Sequence, residues 1–429
     1  MLDLKKINSV YFIGIGGSGM SSIAHMMIVQ GKKVIGSDKE SSINTQELER
    51  RGTHIFYEQN ADNISKNIEL VVYTVAISTN HPELMKAKEL SIPTLSYPQM
   101  LGLVSGGMIV VAVAGTHGKT TTTAMLAHIL SETYINPTAI VGSVAINQKI
   151  NFVEGGGKYL LVEADEYRKS FLNLNPKYLI ITNIDEDHLD FYKDLEDIQN
   201  AFKDLVVKIP KDGFLVCDSN QPHLKPILED IQCKVVKYEP LSEEIKLLAP
   251  GHHNRQNAGA ALALASIFGL SRKVILKKLK TFSGVRRRFE YKGKTVQGAL
   301  IYDDYAHNPQ KISAALQGVK EVYPNKKIFA IFQPHLFSRT KALLQSFGNS
   351  FKDADRVFLV PIYAAREEFD PSISSEILAR EIIKNGVLAE AYPSIETIKI
   401  KLNQTITKDT VVVILGAGDI TKLSETLIF

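Results

Sequence analysis

Residues Ile109-Val-Val-Ala-Val-Ala-Gly-Thr-His-Gly-Lys-Thr-Thr121 decide the fold class of this chain. The short β-branched run predicts a buried strand, and the glycine-containing loop opens into a helical pattern that reaches Leu130. Such a loop turns backbone N–H groups towards phosphate, while Lys119 can neutralise the outer phosphates and Thr120 can ligate Mg²⁺. The common G-x-x-x-x-G-K-T pattern has a further glycine where this chain has Val113. The segment therefore predicts a nucleotide phosphate loop, of a divergent type, within an α/β unit.

Carboxylates follow the next two predicted strands. The first strand ends in Tyr159-Leu-Leu-Val-Glu-Ala-Asp-Glu166, and the second continues from Tyr178 to Thr-Asn183-Ile-Asp-Glu-Asp-His188. Ligands of open α/β sheets bind at the carboxyl ends of the strands, so both clusters should converge on the phosphate loop. Mg²⁺ prefers oxygen ligands, which makes Glu163 the natural one. The alternative for either cluster alone is a solvated acidic loop.

A second glycine loop lies near the start of the sequence. Gly14-Ile-Gly-Gly-Ser-Gly19 follows a strand pattern from Ser9 and precedes an amphipathic pattern from Met20 to Gln30. The next predicted strand ends at Asp38, whose carboxylate can accept hydrogen bonds from ribose hydroxyls. These features are typical of NAD sites, but the diphosphate of a UDP-sugar satisfies the same physics, and simple turn geometry is a third interpretation.

A third α/β region follows from about residue 285. Its predicted strands are Ala299–Tyr302, Lys327–Phe332, Val357–Val360 and Val411–Leu415. Domain boundaries are expected near Leu103–Gly107 and Gly284–Arg288, and they divide the chain into residues 1–105, 106–284 and 285–429. Before the second boundary, Gly251-His-His-Asn-Arg-Gln-Asn257 opens a helix that reaches Phe268, and its Asn side chains are either helix caps or readers of an adenine edge.

The composition excludes several classes of protein. The 429 residues contain 50 Lys+Arg and 46 Asp+Glu, a net charge of +4 without long basic blocks, so nucleic acid is not an expected partner. The two cysteines, Cys217 and Cys233, cannot form a disulfide framework and are expected to be buried reduced thiols of a cytosolic protein. No signal peptide or membrane-spanning run is visible, so we expect a cytoplasmic protein without membrane insertion.

Taken together, six motifs resemble those of the ATP-dependent Mur ligases of peptidoglycan precursor synthesis, and they occur in that family's order. They are the phosphate loop, Glu163-Ala-Asp-Glu166, Thr182-Asn-Ile-x-x-Asp-His188, His253-Asn-x-x-Asn257, Arg287-Arg-Phe289 and Asp303-Asp-Tyr-Ala-His-Asn-Pro309. The resemblance spans nearly the whole chain. It implies three α/β domains: a Rossmann-like N-terminal domain for a UDP-sugar, a central P-loop ATPase domain with a mostly parallel sheet, and a Rossmann-like C-terminal domain for an amino acid.

Two segments resemble the branch of the family that adds L-alanine to UDP-N-acetylmuramate. They are the N-terminal Gly14-Ile-Gly-Gly-Ser-Gly-Met-Ser21 and Phe332-Gln-Pro-His-Leu-Phe-Ser-Arg-Thr340. The resemblance implies that UDP-N-acetylmuramate, L-alanine and ATP are the partners, with Mg²⁺ as cofactor and an acyl phosphate as intermediate. Three alternatives remain: the related recycling ligase that attaches a peptide to the same nucleotide sugar, an NAD-dependent oxidoreductase, and a non-catalytic ATP-binding switch.

The resemblance also implies roles for individual residues. The residues implied for ATP binding are Gly115, Thr116, His117, Gly118, Lys119, Thr120, Thr121, Asn254, Asn257, Arg288 and Asp304. The residues implied for UDP-sugar binding are Gly14, Gly16, Gly17, Ser18, Gly19, Met20, Ser37 and Asp38. The residues implied for the amino acid are Tyr305, His307, His335 and Arg339. Those implied for Mg²⁺ are Thr120 and Glu163 for one ion and His188 for a second, and the implied catalytic set is Lys119, His188, Arg288, His307 and His335.

Overall fold

A computed structural model describes residues 2–143, 151–189, 191–248, 251–365 and 367–428. The N-terminal part is a parallel sheet with strand order β3-β2-β1-β4-β5 and helices on both faces. Its strands are β1 (Ser9–Ile13), β2 (Lys33–Ser37), β3 (His54–Phe56), β4 (Leu70–Tyr73) and β5 (Thr94–Ser96), and its helices are α1 (Ser18–Val29), α2 (Ile43–Arg50), α3 (Pro82–Glu89) and α4 (Tyr97–Ser105). The order reverses beside β1, so the loop after β1 lies where such sheets bind ligands.

The central part is a larger sheet with strand order β12-β11-β10-β6-β9-β7-β8, in which β8 pairs antiparallel with β7 and the strands around β6 are parallel. Its strands are β6 (Ile109–Ala114), β7 (Thr138–Ile140), β8 (Phe152–Val153), β9 (Tyr159–Glu163), β10 (Pro176–Ile181), β11 (Phe214–Cys217) and β12 (Lys234–Lys237). Its helices are α5 (Lys119–Leu130), α6 (Leu195–Val207), α7 (His252–Ile267) and α8 (Arg272–Thr281). The phosphate-loop strand β6 therefore lies between β10 and β9, the two strands that end in acidic clusters.

The C-terminal part is a sheet with order β13-β14-β18-β15-β16-β17, parallel except for the β13–β14 pair. Its strands are β13 (Glu290–Lys294), β14 (Leu300–Asp304), β15 (Lys327–Phe332), β16 (Arg356–Leu359), β17 (Leu388–Ala391) and β18 (Thr410–Leu415). Its helices are α9 (Pro309–Val322), α10 (Phe337–Ala342), α11 (Leu344–Asn349), α12 (Ser375–Lys384), α13 (Ile395–Thr405) and α14 (Thr421–Leu427). The predicted α/β class with mostly parallel sheets is confirmed.

The chain forms two compact units. The first contains Met1–Ile245 and Gln256–Phe282, and so includes both the N-terminal and the central sheet; the second contains Lys246–Arg255 and Ser283–Phe429. In the first unit one continuous apolar core includes side chains from both sheets, among them Phe12 and Phe202. The UDP-sugar and phosphate loops predicted from the sequence consequently belong to one packed body.

The structure corrects three details of the sequence analysis. Helix α1 is not amphipathic, because every side chain from Met20 to Met27 is buried. Helix α4 continues to Ser105, so only Gly106 and Gly107 of the predicted first boundary are non-helical. Cys217 is buried as predicted, but Cys233 is only partly buried; both are free thiols. Among the described residues, the helices are all too short or too polar to cross a membrane.

Candidate active site

The phosphate loop joins β6 to α5 through two glycines in the left-handed region. Gly115 has φ +132° and Gly118 has φ +83°, conformations that side-chain-bearing residues avoid. A Cβ atom on Gly115 would overlap the Thr182 hydroxyl, and one on Gly118 would overlap the Asn257 amide oxygen. The loop thus requires glycine at both positions. It also shows that Asn257, from α7, lies against the loop.

The end of β10 braces the loop from the other side. The Asp185 backbone N–H donates to Thr116 Oγ1 at 2.9 Å, and the His117 N–H donates to Asn183 Oδ1 at 2.9 Å. The predicted convergence of the Asn183–His188 segment on the loop is therefore confirmed. Asn254 and Asn257 lie inside α7, which begins at His252, so neither is the N-cap residue of this helix.

Lys119 is engaged by a buried acid. Its Nζ atom lies 2.7 Å from Glu166 Oε2 and donates also to the Gly115 carbonyl at 2.7 Å. Glu166 is 2% exposed, and this burial raises the pKa of its carboxyl to about 7, although the charge of Lys119 acts in the opposite direction. Burial opposes ionisation of Lys119, but the carboxylates around it, Glu166 first, raise the pKa of the amine above its usual value. Sequence reasoning assigned no role to Glu166, although it stands in the quoted strand-end motif.

Oxygen atoms suited to Mg²⁺ meet beside the loop. Thr120 Oγ1 donates to Glu163 Oε1 at 3.0 Å, and Glu163 Oε2 accepts from the Gly142 N–H at 2.9 Å. A hydroxyl and a carboxylate are the hard ligands that Mg²⁺ prefers, so this pair fits the predicted metal. His188, the predicted ligand of a second Mg²⁺, has its Nε2 3.8 Å from Glu166 Oε1, and its ring centroid lies 4.7 Å from that of Tyr167.

The loop after β1 is closed by Asp38. The Gly16 N–H donates to Asp38 Oδ2 at 2.7 Å, Gly14 has φ +79°, and a Cβ atom on Gly19 would overlap the Tyr97 ring. Gly17 is the N-cap residue of α1, Ser18 begins the helix, and Met20 in its first turn is buried. The N–H groups of such a first turn lack partners within the helix and can bind an anion. Ser37 points elsewhere: its hydroxyl donates to the buried Glu83 at 2.5 Å.

In the second unit, two arginines lie over one tyrosine ring. The guanidinium carbons of Arg287 and Arg288 are 4.9 and 5.3 Å from the centroid of Tyr305. Asp304 accepts the Phe289 and Ala306 N–H groups at 2.7 and 2.8 Å, and burial raises the pKa of its carboxyl. Asp304 therefore braces the turn that carries these rings. Arg287, which also donates to the Gly416 carbonyl, was given no site role in the sequence analysis.

The predicted amino-acid residues form a partial cluster in the same unit. His307 Nδ1 lies 2.8 Å from the Tyr305 carbonyl oxygen, and its ring centroid is 6.2 Å from that of His335. His335 stacks on Tyr363 at 5.6 Å, a partner that the sequence did not indicate.

Arg339 lies on α10 and is half-buried beside Glu367. Burial raises the pKa of Glu367, but hydrogen bonds from Ser338 and the positive charge of Arg339 outweigh it, so the net direction is down.

Family models agree with this geometry over most of the chain. Residues 9–107 match the Mur ligase family, catalytic domain; residues 113–244 match the Mur ligase middle domain; and residues 287–418 match the Mur ligase, glutamate ligase domain. The UDP-N-acetylmuramate–L-alanine ligase of Clostridium kluyveri is 40% identical over 451 aligned positions, which cover 99% of this chain and 98% of that protein. The chain belongs to the Mur ligase family.

Further relatives place this Mur ligase within its family. The UDP-N-acetylmuramate–L-alanine ligase of Acetivibrio thermocellus is 37% identical, covering 99% of this chain and 96% of that protein. The crystal structure of the UDP-N-acetylmuramate–alanine ligase of Thermotoga maritima superposes with a TM-score of 0.83 and 29% identity, covering 98% of both chains. A murein peptide ligase from Psychrobacter arcticus shares the fold at a TM-score of 0.73 and 24% identity. The three-domain α/β fold predicted from the motifs is confirmed.

Proposed function

We propose that this Mur ligase joins L-alanine to the lactyl carboxylate of UDP-N-acetylmuramate and converts ATP to ADP and phosphate. The observation that carries the proposal is the near-full-length identity, 36 to 40%, to proteins named as UDP-N-acetylmuramate–L-alanine ligases. The braced phosphate loop supports it, because ATP chemistry needs that loop. An NAD-dependent oxidoreductase would leave the loop without a role.

Amide formation from a carboxylate in water is unfavourable, so the carboxylate has to be activated. Its oxygen attacks the γ-phosphorus of ATP, ADP leaves, and an acyl phosphate forms. The deprotonated amine of alanine then attacks the acyl carbon, and phosphate leaves from the tetrahedral intermediate. Each step brings anions together, which requires concentrated positive charge and exclusion of water.

Lys119 supplies part of that charge. Its Nζ lies at the mouth of the loop between the Gly115 carbonyl and Glu166, so nucleotide binding exchanges the Glu166 carboxylate for phosphate oxygens. Thr120 and Glu163 are proposed to hold one Mg²⁺ and His188 to ligate a second, and when bound these ions would neutralise phosphate charge. We also assign Asn257, which lies against Gly118, and Asn254 to the nucleotide. Arg288 and Asp304 complete the proposed nucleotide set.

The other two substrates are assigned to separate sheets. We assign the UDP diphosphate to the loop from Gly14 to Met20, the ribose hydroxyls to Asp38, and alanine to Tyr305, His307, His335 and Arg339. The domains proposed for these tasks are residues 1–105, 106–284 and 285–429. We also propose that the enzyme acts in the cytoplasm, where nucleotide precursors are made, without nucleic-acid partners.

The test is phosphate release by the purified protein with ATP, Mg²⁺ and UDP-N-acetylmuramate while the acceptor is varied. The acceptors are L-alanine, glycine, L-serine, D-alanine and an L-alanine-terminated peptide, and mass spectrometry identifies the amide product. We expect L-alanine to give the highest kcat/KM. A preference for the peptide would make the protein a recycling ligase, and phosphate release without any amide would support the ATP-binding switch.

A further inference from the structure

Helix α1 of the N-terminal sheet packs against the β7–β8 edge of the central sheet. The buried His25 of α1 stacks on Phe152 of β8, with ring centroids 6.0 Å apart. The first turn of α1 carries the end of the glycine loop that we assign to the diphosphate. This contact therefore joins the proposed UDP-sugar loop to the ATPase sheet.

Asn151, one residue before β8, makes the polar part of the contact. It is 2% exposed. Its side-chain amide donates to the Ser18 carbonyl oxygen, and the Ser21 hydroxyl donates to its Oδ1 at 3.5 Å. The Ser22 hydroxyl donates to its backbone carbonyl oxygen at 3.4 Å. Both serine hydroxyls lie closer to the Ser18 carbonyl oxygen, at 3.0 and 2.9 Å, so the firm bond of Asn151 is the one from its amide to Ser18. Losing that bond would leave a buried polar group unpaired, which is costly.

The same residue is tied to the ATP side. The Val141 N–H donates to the Asn151 carbonyl oxygen at 3.0 Å, and the next residue, Gly142, donates its N–H to Glu163 Oε2 at 2.9 Å. Glu163 is the carboxylate that pairs with Thr120 of the phosphate loop. A short chain of contacts thus runs from Ser18 at the diphosphate loop, through Asn151, to Glu163.

We propose that Asn151 is a positioning residue that holds the bound nucleotide sugar in register with the γ-phosphate of ATP. The inference rests on the proposed function. Each substrate binds its own loop without Asn151, but the attack of the lactyl oxygen requires a correct distance between the two loops. Misplacement by about 1 Å can lower a rate by about 100-fold.

The experiment compares Asn151→Ala and Asn151→Leu with the control Asn173→Ala. Leucine has the same branching at Cγ as asparagine but no hydrogen-bonding groups, so this variant guards against a cavity effect. Asn173 lies near Gly102 of α4, at the other contact between the same two sheets, but its side chain is exposed and its amide donates to the Ser170 carbonyl oxygen at 2.9 Å. Asn173→Ala therefore controls for the loss of an asparagine amide that does not join the two loops. For each variant we measure kcat, the ATP KM, the melting temperature, and the calorimetric Kd of UDP-N-acetylmuramate with a non-hydrolysable ATP analogue.

We expect both Asn151 variants to lose about 10- to 100-fold in kcat, while Kd and the ATP KM stay close to wild type, and Asn173→Ala to keep wild-type kcat. Equal kcat in wild type and Asn151→Leu would overturn the proposal. So would a joint change of all constants, or loss of folding in both variants, since Asn151 would then serve stability alone. If the wild type itself makes no amide from UDP-N-acetylmuramate, the proposed function fails instead.

Discussion

The Lys119 Nζ atom lies 2.7 Å from the Glu166 carboxylate, in a pair whose side chains are 12% and 3% exposed. Glu166 thus takes the place that a phosphate would take beside the loop lysine. The pair keeps two charges compensated in the interior when no nucleotide is present. In the proposed function, ATP binding transfers Lys119 from the Glu166 carboxylate to phosphate oxygens, and Glu166, whose pKa burial raises, takes up a proton.

Lys119→Met should abolish amide formation and also destabilise the protein. Removing one partner of a buried ion pair costs about 3–5 kcal/mol, because the other charge stays buried without compensation. Adding Glu166→Gln should restore stability but not activity. Chemical denaturation and product analysis of the single and double variants test both statements.

The destabilisation should depend on pH with a defined sign. Burial already raises the folded-state pKa of Glu166 to about 7, above about 4.3 in the unfolded chain. Without Lys119 it rises further, so the folded variant binds more protons and gains stability as the pH falls from about 8 to about 6. A Lys119→Met variant with normal turnover, or with a pH-independent loss of stability, would contradict the assignment.

Changes in the first glycine loop should affect only the nucleotide sugar. Asp38→Ala removes the acceptor of the Gly16 N–H and loosens the loop, and losing such a charge-assisted bond costs about 1.5–3 kcal/mol. We expect the KM for UDP-N-acetylmuramate to rise about 10- to 150-fold and the ATP KM to stay unchanged. Asp38→Asn, which keeps an acceptor oxygen, is the matched control and should recover most of the affinity. If the ATP constant rises instead, the division of labour between the two loops is wrong.

His25 should make the protein sensitive to acid. The residue is 1% exposed, and its burial lowers the imidazole pKa to about 4, against about 6.5 when unfolded; the charge of Arg51 adds to this shift and that of Glu47 opposes it. Because the folded state resists protonation of His25, the free energy of unfolding is unaffected by this residue above about pH 6.5. It falls by up to about 1.4 kcal/mol per pH unit as the pH drops from there towards 4. Denaturation curves should show a smaller acid loss for His25→Gln than for wild type. His54→Gln, at an exposed position, is the control and should keep the wild-type slope.

Local sequence patterns predicted the strands and loops that form the site, whereas the burial of α1 and the partner of Lys119 depend on packing between distant segments. The β6 strand and the two loop glycines follow from a hydrophobic run and its end, which are readable within a few residues. The meeting of Thr120 with Glu163 follows from the rule that ligands bind at the carboxyl ends of parallel strands. The burial of α1 was not readable, because Ser21, Ser22 and His25 are polar and predict a solvated face. These side chains are buried by the β7–β8 edge, which lies about 130 residues later in the sequence. The choice of Glu166 as partner for Lys119 also depends on geometry between distant segments.

Arg339 gives the most specific test of amino-acid recognition. It is half-buried on α10 beside Glu367, whose carboxylate the Ser338 N–H already engages at 3.1 Å. If the Arg339 guanidinium holds the carboxylate of alanine, Arg339→Lys keeps the charge but loses the planar fork. One charge-assisted bond is worth about 1.5–3 kcal/mol, so the KM for L-alanine should rise about 10- to 150-fold.

The control separates this role from a structural one. ATP and UDP-N-acetylmuramate constants should not change in Arg339→Lys, and alanine amide, which lacks the carboxylate, should already be a poor substrate of the wild type. Glu367→Gln removes the neighbouring charge and should leave the alanine KM unchanged. If Arg339 serves instead to pair with Glu367, both variants will lose thermal stability to a similar extent and all three substrate constants will shift together. An Arg339→Lys enzyme with normal stability and a normal alanine KM would exclude both roles, because the guanidinium would then contact neither the substrate nor Glu367 in a way that matters energetically.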